Sequence, residues 1–254
     1  MIVSCVIPAL NEGARLPGFL QELGRHLLST STLDPAIEVV VVDDGSDTEN
    51  LEKHRDAVER LAGTLAQGPH RARLHALPSN RGKAEAIRIG WSESRSDADW
   101  IGFVDADGAV PAHEVVRLAR MLPSFTLDVL AGSRIRMAGH AIRRSAFRHF
   151  QGRVFATAVE WLFALGFYDP QCGLKFFRAA LLRPHLGLLR ERTWLLDVEV
   201  LAMIRRGGSQ MREEPIDWSD PGDSKMIFGL DAAKMLIGLW SLRRRIDRRR
   251  SLGT

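Results

Sequence analysis

Two short acidic runs carry the residue types best suited to chemistry in this sequence. Asp43-Asp44-Gly45-Ser46 follows the apolar run Val39-Val40-Val41-Val42, and Asp105-Ala106-Asp107-Gly108 follows Trp100-Ile101-Gly102-Phe103-Val104. Each reads as a strand buried on both faces that stops in paired carboxylates and a glycine. In an open α/β sheet, ligands bind beyond the carboxyl ends of the parallel strands. Carboxylates at that edge suit hydroxyls or a cation. Asp105 with Asp107 offers the hard oxygen donors that Mg2+ or Mn2+ takes when it holds a diphosphate. A lone strand-end aspartate often does no more than cap the next turn, but two doublets in one sheet ask for a ligand.

The elements that must position these groups alternate along the first 130 residues. Strands are predicted at Ile2–Ile7, Ile37–Val42, Arg73–Leu77, Trp100–Val104 and Leu127–Ala131. Between them the spacing predicts helices: one with Leu16, Phe19, Leu20, Leu23 and Leu27 on its apolar face, then Thr48–Leu65, Lys83–Ser94 and Pro111–Leu122. Such alternation implies βαβ units and a mainly parallel sheet flanked by helices. The second half differs. It reads as a helix from Arg143 to Leu165, a strand at Gly173–Phe177, a helix at Trp194–Arg205, an extended segment at Gln210–Trp218 and a helix from Ile227 to Arg250.

Composition removes several classes. With 254 residues, 45% apolar and 26% charged, the chain is an ordinary globular one with room for a large core. Its two cysteines, Cys5 and Cys172, lie far apart, so a disulfide framework or zinc site is not expected. The start is too short and lacks the basic flank of a signal peptide, and no apolar run is long enough to span a bilayer. There is no G-x-G-x-x-G after the first strand, and Gly82-Lys83-Ala84 lacks the rest of a P-loop, which argues against dehydrogenases and P-loop NTPases. The net charge of +4 is uneven: Arg243–Arg250 holds six arginines and one aspartate, and Arg134–Arg153 holds six arginines, two histidines and no acid. Basic tracts of this kind point to anionic partners.

An ordered series of short motifs stands at the strand ends. Pro8-Ala9-Leu10-Asn11-Glu12 comes first, then Asp43-Asp44-Gly45-Ser46, Asn80-Arg81-Gly82-Lys83, Asp105-Ala106-Asp107-Gly108 and Gly132-Ser133-Arg134. The series resembles the family-2 glycosyltransferases, whose GT-A-type fold uses nucleotide-diphosphate sugars. Tyr168-Asp169-Pro170-Gln171-Cys172-Gly173-Leu174-Lys175 is similar to the D-x-Q-C-G-F-K segment of dolichyl-phosphate glucosyltransferases, and Trp194-Leu195-Leu196-Asp197-Val198-Glu199 to their W-x-F-D-V-E. Trp218 with Gly222-Asp223-Ser224-Lys225 resembles their W-x(n)-G-S-K element, here interrupted by Asp223. Two departures stand out: Glu85 follows Lys83-Ala84 where the family helix usually begins G-K-G, and no N-terminal anchor like that of the eukaryotic enzymes is expected from these residues.

The resemblance implies roles. Asp105 and Asp107 would hold the metal, with Asp105 also near the donor, and the metal would neutralise charge on the leaving nucleoside diphosphate. Pro8, Ala9, Asn11, Glu12, Asp43 and Asp44 would line the nucleoside cleft, with Asp44 the favoured contact and Asn11 alternatively a helix cap. Lys83, at a helix N-terminus, would meet the diphosphate. Asp169 is the first candidate base for an inverting in-line displacement, with Asp197 or Glu199 behind it. A phosphate acceptor is largely ionised near neutral pH, its second pKa being about 6, so positioning by Arg134, Arg136, Arg143 or Lys225 matters more.

The expectation is therefore a GT-A-type enzyme at residues 1–226 with an amphipathic basic helix at 227–254. It would move a hexose, glucose from UDP-glucose first, to a polyprenyl or dolichyl phosphate. GDP-mannose, another sugar nucleotide or a different acceptor is the alternative within enzymes. A non-catalytic binding module for nucleotide sugars or membrane surfaces is the alternative outside them, and the Asp105/Asp107 pair speaks against it. Ile237 and Trp240 at helical spacing before the arginine run suit an anionic membrane surface, placing the protein peripherally on the cytoplasmic face. Nucleic acid is not expected as a partner, because the basic tracts lack interleaved aromatics.

Overall fold

A computed structural model describes residues 1–29, 34–124, 126–143, 146–205, 207–220 and 230–251, with side chains outside the description at 146–149, 230–235 and 249–251. The chain runs β1 (Ile2–Ala9), α1 (Leu16–Leu28), β2 (Ala36–Asp43), α2 (Thr48–Leu65), β3 (Arg71–Ala76), α3 (Lys83–Glu93), β4 (Trp100–Val104), α4 (Ala112–Met121) and β5 (Val129–Ser133). It continues with β6 (Ile142–Arg143), α5 (Ala146–Phe163), β7 (Leu174–Arg178), α6 (Ala179–Leu182), α7 (Leu196–Arg205), β8 (Met211–Pro215), β9 (Trp218–Ser219) and α8 (Leu230–Ser251).

Seven strands form one sheet in the order β3-β2-β1-β4-β7-β5-β8, and β6 pairs with β9 beside it. The first four strands are mutually parallel, as the βαβ alternation predicts. β7 runs antiparallel to both β4 and β5, a reversal that strand patterning does not contain. The predicted extended segment Gln210–Trp218 divides into β8, which extends the large sheet, and the start of β9, which belongs to the small one.

The four-valine run shows why the sheet has helices on both sides. Val39 and Val41 pack into one core with α1, α2 and α4, while Val40 and Val42 pack into a second core with α3, α5, α7 and α8. Alternation along a strand sends successive side chains to opposite faces, so an unbroken apolar run requires cover on each. Helix α8 belongs to this second core through Leu239, Leu242 and Ile246, all buried. The C-terminal helix is thus packed on the sheet-bearing body over that stretch. Among the described residues, no helix is long and apolar enough to cross a membrane.

Candidate active site

The parallel register delivers the sequence-predicted groups to one edge of the sheet. Ala9 at the end of β1 pairs with Asp43 at the end of β2, and β4, beside β1, ends at Val104 immediately before Asp105. Because β7 is antiparallel, its first residue, Leu174, pairs with Val104, so the segment Asp169–Gly173 arrives at the same edge. The N-termini of α3 and α7 add Lys83 and Asp197 there.

At the centre is an alternation of charge. The Lys83 ammonium lies 2.6 Å from Asp105 Oδ1, with the lysine half-exposed and the aspartate more covered. Desolvation pulls Lys83 down, but the charge and hydrogen bond of Asp105, with Asp197 and Asp107 beyond, hold its pKa above the ordinary lysine value. Asp107 is raised, first by burial and then by the like charge of Asp105. Asp197 is also raised, chiefly by burial, with Lys175 and Lys83 pulling the other way.

Lys175 is the residue that sequence reasoning passed over. It is fully buried on β7, donates to the Cys172 carbonyl at 2.5 Å and lies 3.5 Å from Asp197 Oδ2. An ammonium in a core persists only when paired and hydrogen-bonded. A lysine inside an otherwise apolar strand, Leu174-Lys175-Phe176-Phe177, was the available signal.

The nucleoside-side residues form a braced turn. Asp43 is buried, accepts the Ser46 N–H at 2.9 Å and meets His54 Nδ1 at 2.6 Å. Burial opposes its ionisation, yet His54 and Ser46 outweigh that and hold its pKa below the usual aspartate value. Asp44 accepts the N–H groups of Arg81 at 2.7 Å and Gly82 at 2.9 Å, tying β2 to the entry of α3. Both carboxylates therefore support the backbone. Gly45 follows them at φ 72°, where a Cβ would come within 2.3 Å of the Ser79 carbonyl carbon. Asn11, at φ 55°, accepts from the Asp47 N–H and donates its own N–H to the Ser46 hydroxyl, so it cross-links the β1 and β2 turns and does not cap α1. Glu12 holds Arg15 through two bonds of 2.6 and 2.7 Å. Pro8 and Ala9 are buried at the end of β1, beneath these turns.

Two expected bases are already occupied. Asp169 binds Arg134 through Nε and Nη2 at 2.7 Å each and also accepts the Arg134 N–H at 3.0 Å. Burial alone would raise the Asp169 carboxyl, but the Arg134 guanidinium holds it below the ordinary range. A carboxylate so held is a poor proton acceptor; the pair orients Arg134, whose guanidinium also lies 5.5 Å from the Trp218 ring centre. Glu199 is fully buried and accepts the N–H groups of Arg190 and Glu191, which makes it a brace as well. Asp197 is left as the carboxylate whose position and raised pKa fit proton transfer. Arg136 and Arg143 are exposed on the strip between β5 and α5, and Lys225 lies outside the described residues.

The donor set fits a hard divalent cation. Asp105 Oδ1 is ion-paired with Lys83, and beside it Asp107 carries a carboxylate whose charge is disfavoured by burial and by Asp105. A cation between them would take hard carboxylate oxygens as ligands and remove the like-charge cost.

Comparison with known proteins agrees with this layout. The sequence pattern of the family described as Glycosyl transferase family 2 matches residues 4–179. Dolichyl-phosphate beta-glucosyltransferase of Homo sapiens is 34% identical over 236 residues, covering 89% of this chain and 69% of that protein. The Drosophila melanogaster protein of the same name is 33% identical over 262 residues, covering 94% and 77%. Among solved structures, mannosyl-3-phosphoglycerate synthase from Rubrobacter xylanophilus superposes with a TM-score of 0.69 at 15% identity, over 100% of this chain and 75% of that one. Glucosyl-3-phosphoglycerate synthase from Mycobacterium tuberculosis, in complex with UDP, gives 0.65 at 17% identity, over 95% and 80%. The structures share the GT-A-type fold, and the family match spans the segments that carry Asp44, Lys83, Asp105 and Asp107. On these grounds the chain belongs to glycosyl transferase family 2.

Proposed function

We propose that this protein transfers a hexosyl group, glucose from UDP-glucose first, onto a polyprenyl phosphate such as dolichyl phosphate at the cytoplasmic face of a membrane. The observation that carries the reading is the Lys83–Asp105/Asp107–Asp197–Lys175 cluster at the carboxyl edge of β4. It sits in a chain whose relatives are named for glucosyl transfer to dolichyl phosphate.

Asp105 and Asp107 would hold Mg2+ or Mn2+, which when bound supplies positive charge to the departing diphosphate. The remaining steps fall to the chain itself. Asp44 fixes the Arg81–Gly82 turn, and this sets Lys83 at the N-terminus of α3, where the ammonium and the helix N–H groups favour diphosphate oxygens. Arg136 and Arg143 bring the acceptor phosphate to the anomeric carbon, while Asp169 and Trp218 hold Arg134 rigid behind them. A phosphate oxygen forms the new bond to carbon as the carbon–oxygen bond to the diphosphate breaks, and the electron pair leaves with the nucleoside diphosphate. A dianionic acceptor needs no base for this step. Asp197 takes up the proton when the acceptor arrives as the monoanion.

A screen of UDP-glucose, GDP-mannose and other sugar nucleotides tests the reading. It uses Mg2+ or Mn2+ and a short polyprenyl phosphate, following label that moves into organic solvent. Extractable label from UDP-glucose is expected; label from no donor with any polyprenyl phosphate would sink it.

A further inference from the structure

Six large apolar side chains stand in solvent on two neighbouring helices. Phe150 is 67% exposed, Val154 51% and Trp161 76% on α5, and Leu236 46%, Ile237 70% and Trp240 51% on α8. At about 100° per residue, Phe150, Val154 and Trp161 stay within ~40° of one line along their helix. The rings of Trp161 and Trp240 meet edge to face at 6.4 Å, which joins the two sets into one surface.

Ordinary amphipathicity does not account for them. Both helices already have a core face, with Phe155, Val159 and Leu162 buried on α5 and Leu239, Leu242 and Ile246 buried on α8. The exposed residues make a second apolar face, and a contiguous one marks a contact surface, whereas scattered exposed side chains do not.

The charges around it select the occupant. Arg244 and Arg248, both exposed, line one groove together with Leu236, Ile237 and Trp240. A tryptophan pair with apolar bodies and N–H edges, beside arginines, matches the boundary between headgroups and acyl chains of an anionic bilayer.

We propose that the α5/α8 face docks on an anionic bilayer, with Phe150, Trp161, Ile237 and Trp240 entering the interfacial layer and Arg244 and Arg248 meeting lipid phosphates. This rests on the lipid-linked acceptor reading and adds where the protein touches its membrane. The placement is apt for that acceptor. Arg245, which lines the same groove as Ile237 and Trp240, binds Glu191, so α8 adjoins the segment leading into Asp197. Docking there holds the Asp197 side of the site close to headgroup level.

Flotation of the full chain with vesicles of phosphatidylcholine, with and without phosphatidylglycerol, tests the proposal across a salt series. Binding to the anionic vesicles is expected, with tryptophan emission quenched by lipids brominated in the acyl chain. The pair Trp161→Ser/Trp240→Ser should lower the partition coefficient at least ~tenfold at every salt concentration, since the apolar burial it removes is not screened. The pair Arg244→Gln/Arg248→Gln should weaken binding at low salt and flatten its salt dependence. Ile237→Ser, at a separate exposed position, gives an independent loss, and unchanged unfolding temperatures verify the folded state. A wild type that ignores anionic vesicles, or a tryptophan-pair variant that binds like wild type, overturns the proposal. So does a wild-type dimer that the tryptophan pair dissolves, because the occupant is then a second copy. Turnover with a water-soluble short-chain prenyl phosphate separates this from the acceptor reading. The tryptophan-pair variant should equal wild type there. Vesicle binding without transfer to any polyprenyl phosphate would defeat the acceptor reading alone.

Discussion

Gly173 faces Asp105 so closely that a Cβ at this position would lie 2.4 Å from the carboxylate Oδ2, while the Gly173 carbonyl accepts the Asp105 N–H at 3.0 Å. The glycine is needed for the room it leaves. Its backbone does not require a positive φ.

Gly173→Ala should therefore displace the Asp105 carboxylate without unfolding the chain. A misplacement near 1 Å at a reacting centre costs on the order of 100-fold in rate. Such a fall in kcat/KM, with an unfolding temperature close to wild type, is expected. Wild-type kinetics would show that Asp105 tolerates the shift and has no exacting role.

Asp107→Asn should separate activity from stability in opposite directions. The folded-state pKa of Asp107 is raised by burial and by Asp105, so its ionised form is disfavoured in the fold. The stabilising contribution of such a carboxyl is complete below its unfolded value of 3.8 and is lost as pH rises through the raised folded value. In chelator at neutral pH, the carboxamide should unfold no earlier than wild type, and any advantage should vanish near pH 3. Turnover with Mg2+ or Mn2+ should drop by ~100-fold or more. Thermal scans at both pH values and a metal titration of activity measure the two halves, and full turnover at limiting metal would remove Asp107 from the metal site.

Asp169→Asn tests the orienting role against a base. Removing one partner of a buried ion pair leaves Arg134 uncompensated and costs roughly 3–5 kcal/mol. Asp169 has a lowered pKa, so its contribution is present above 3.8 and is lost as pH falls through the lower folded value. The wild-type advantage over the variant should accordingly shrink in strong acid. Denaturant titrations at neutral and acid pH read this directly. A variant as stable as wild type but inactive would return Asp169 to the chemistry.

Asp44→Ala should weaken nucleotide binding by way of Lys83. Hydrogen bonds to a charged acceptor contribute about 1.5–3 kcal/mol, and both Arg81 and Gly82 would lose theirs. UDP titrated calorimetrically against the variant should show an affinity lower by roughly ten- to a hundredfold. Unchanged affinity would mean that the entry of α3 holds its shape without Asp44.

Much of this architecture is written locally. The parallel strands β1 to β4 and the helices between them follow from apolar periodicity, and the predicted bounds differ from the observed ones by a few residues, as at Arg73–Leu77 against Arg71–Ala76 for β3. The acidic doublets at the ends of β2 and β4 were legible for the same reason, since polar groups break off where a buried strand leaves the core.

What the sequence determined by itself is the set of strands, their two-faced burial and the carboxylates at their ends, because side-chain alternation and turn chemistry act over neighbouring residues. The tertiary structure decided how each carboxylate is held. Only the antiparallel entry of β7 between β4 and β5 sets Gly173 against Asp105 and Lys175 against Asp197. Only folding brings Arg134 to Asp169 across 35 positions and divides α8 into a buried face and an exposed one. An ion pair is set by distances of a few ångströms between segments that no local pattern relates, and Coulomb's law and desolvation then assign each carboxylate its work.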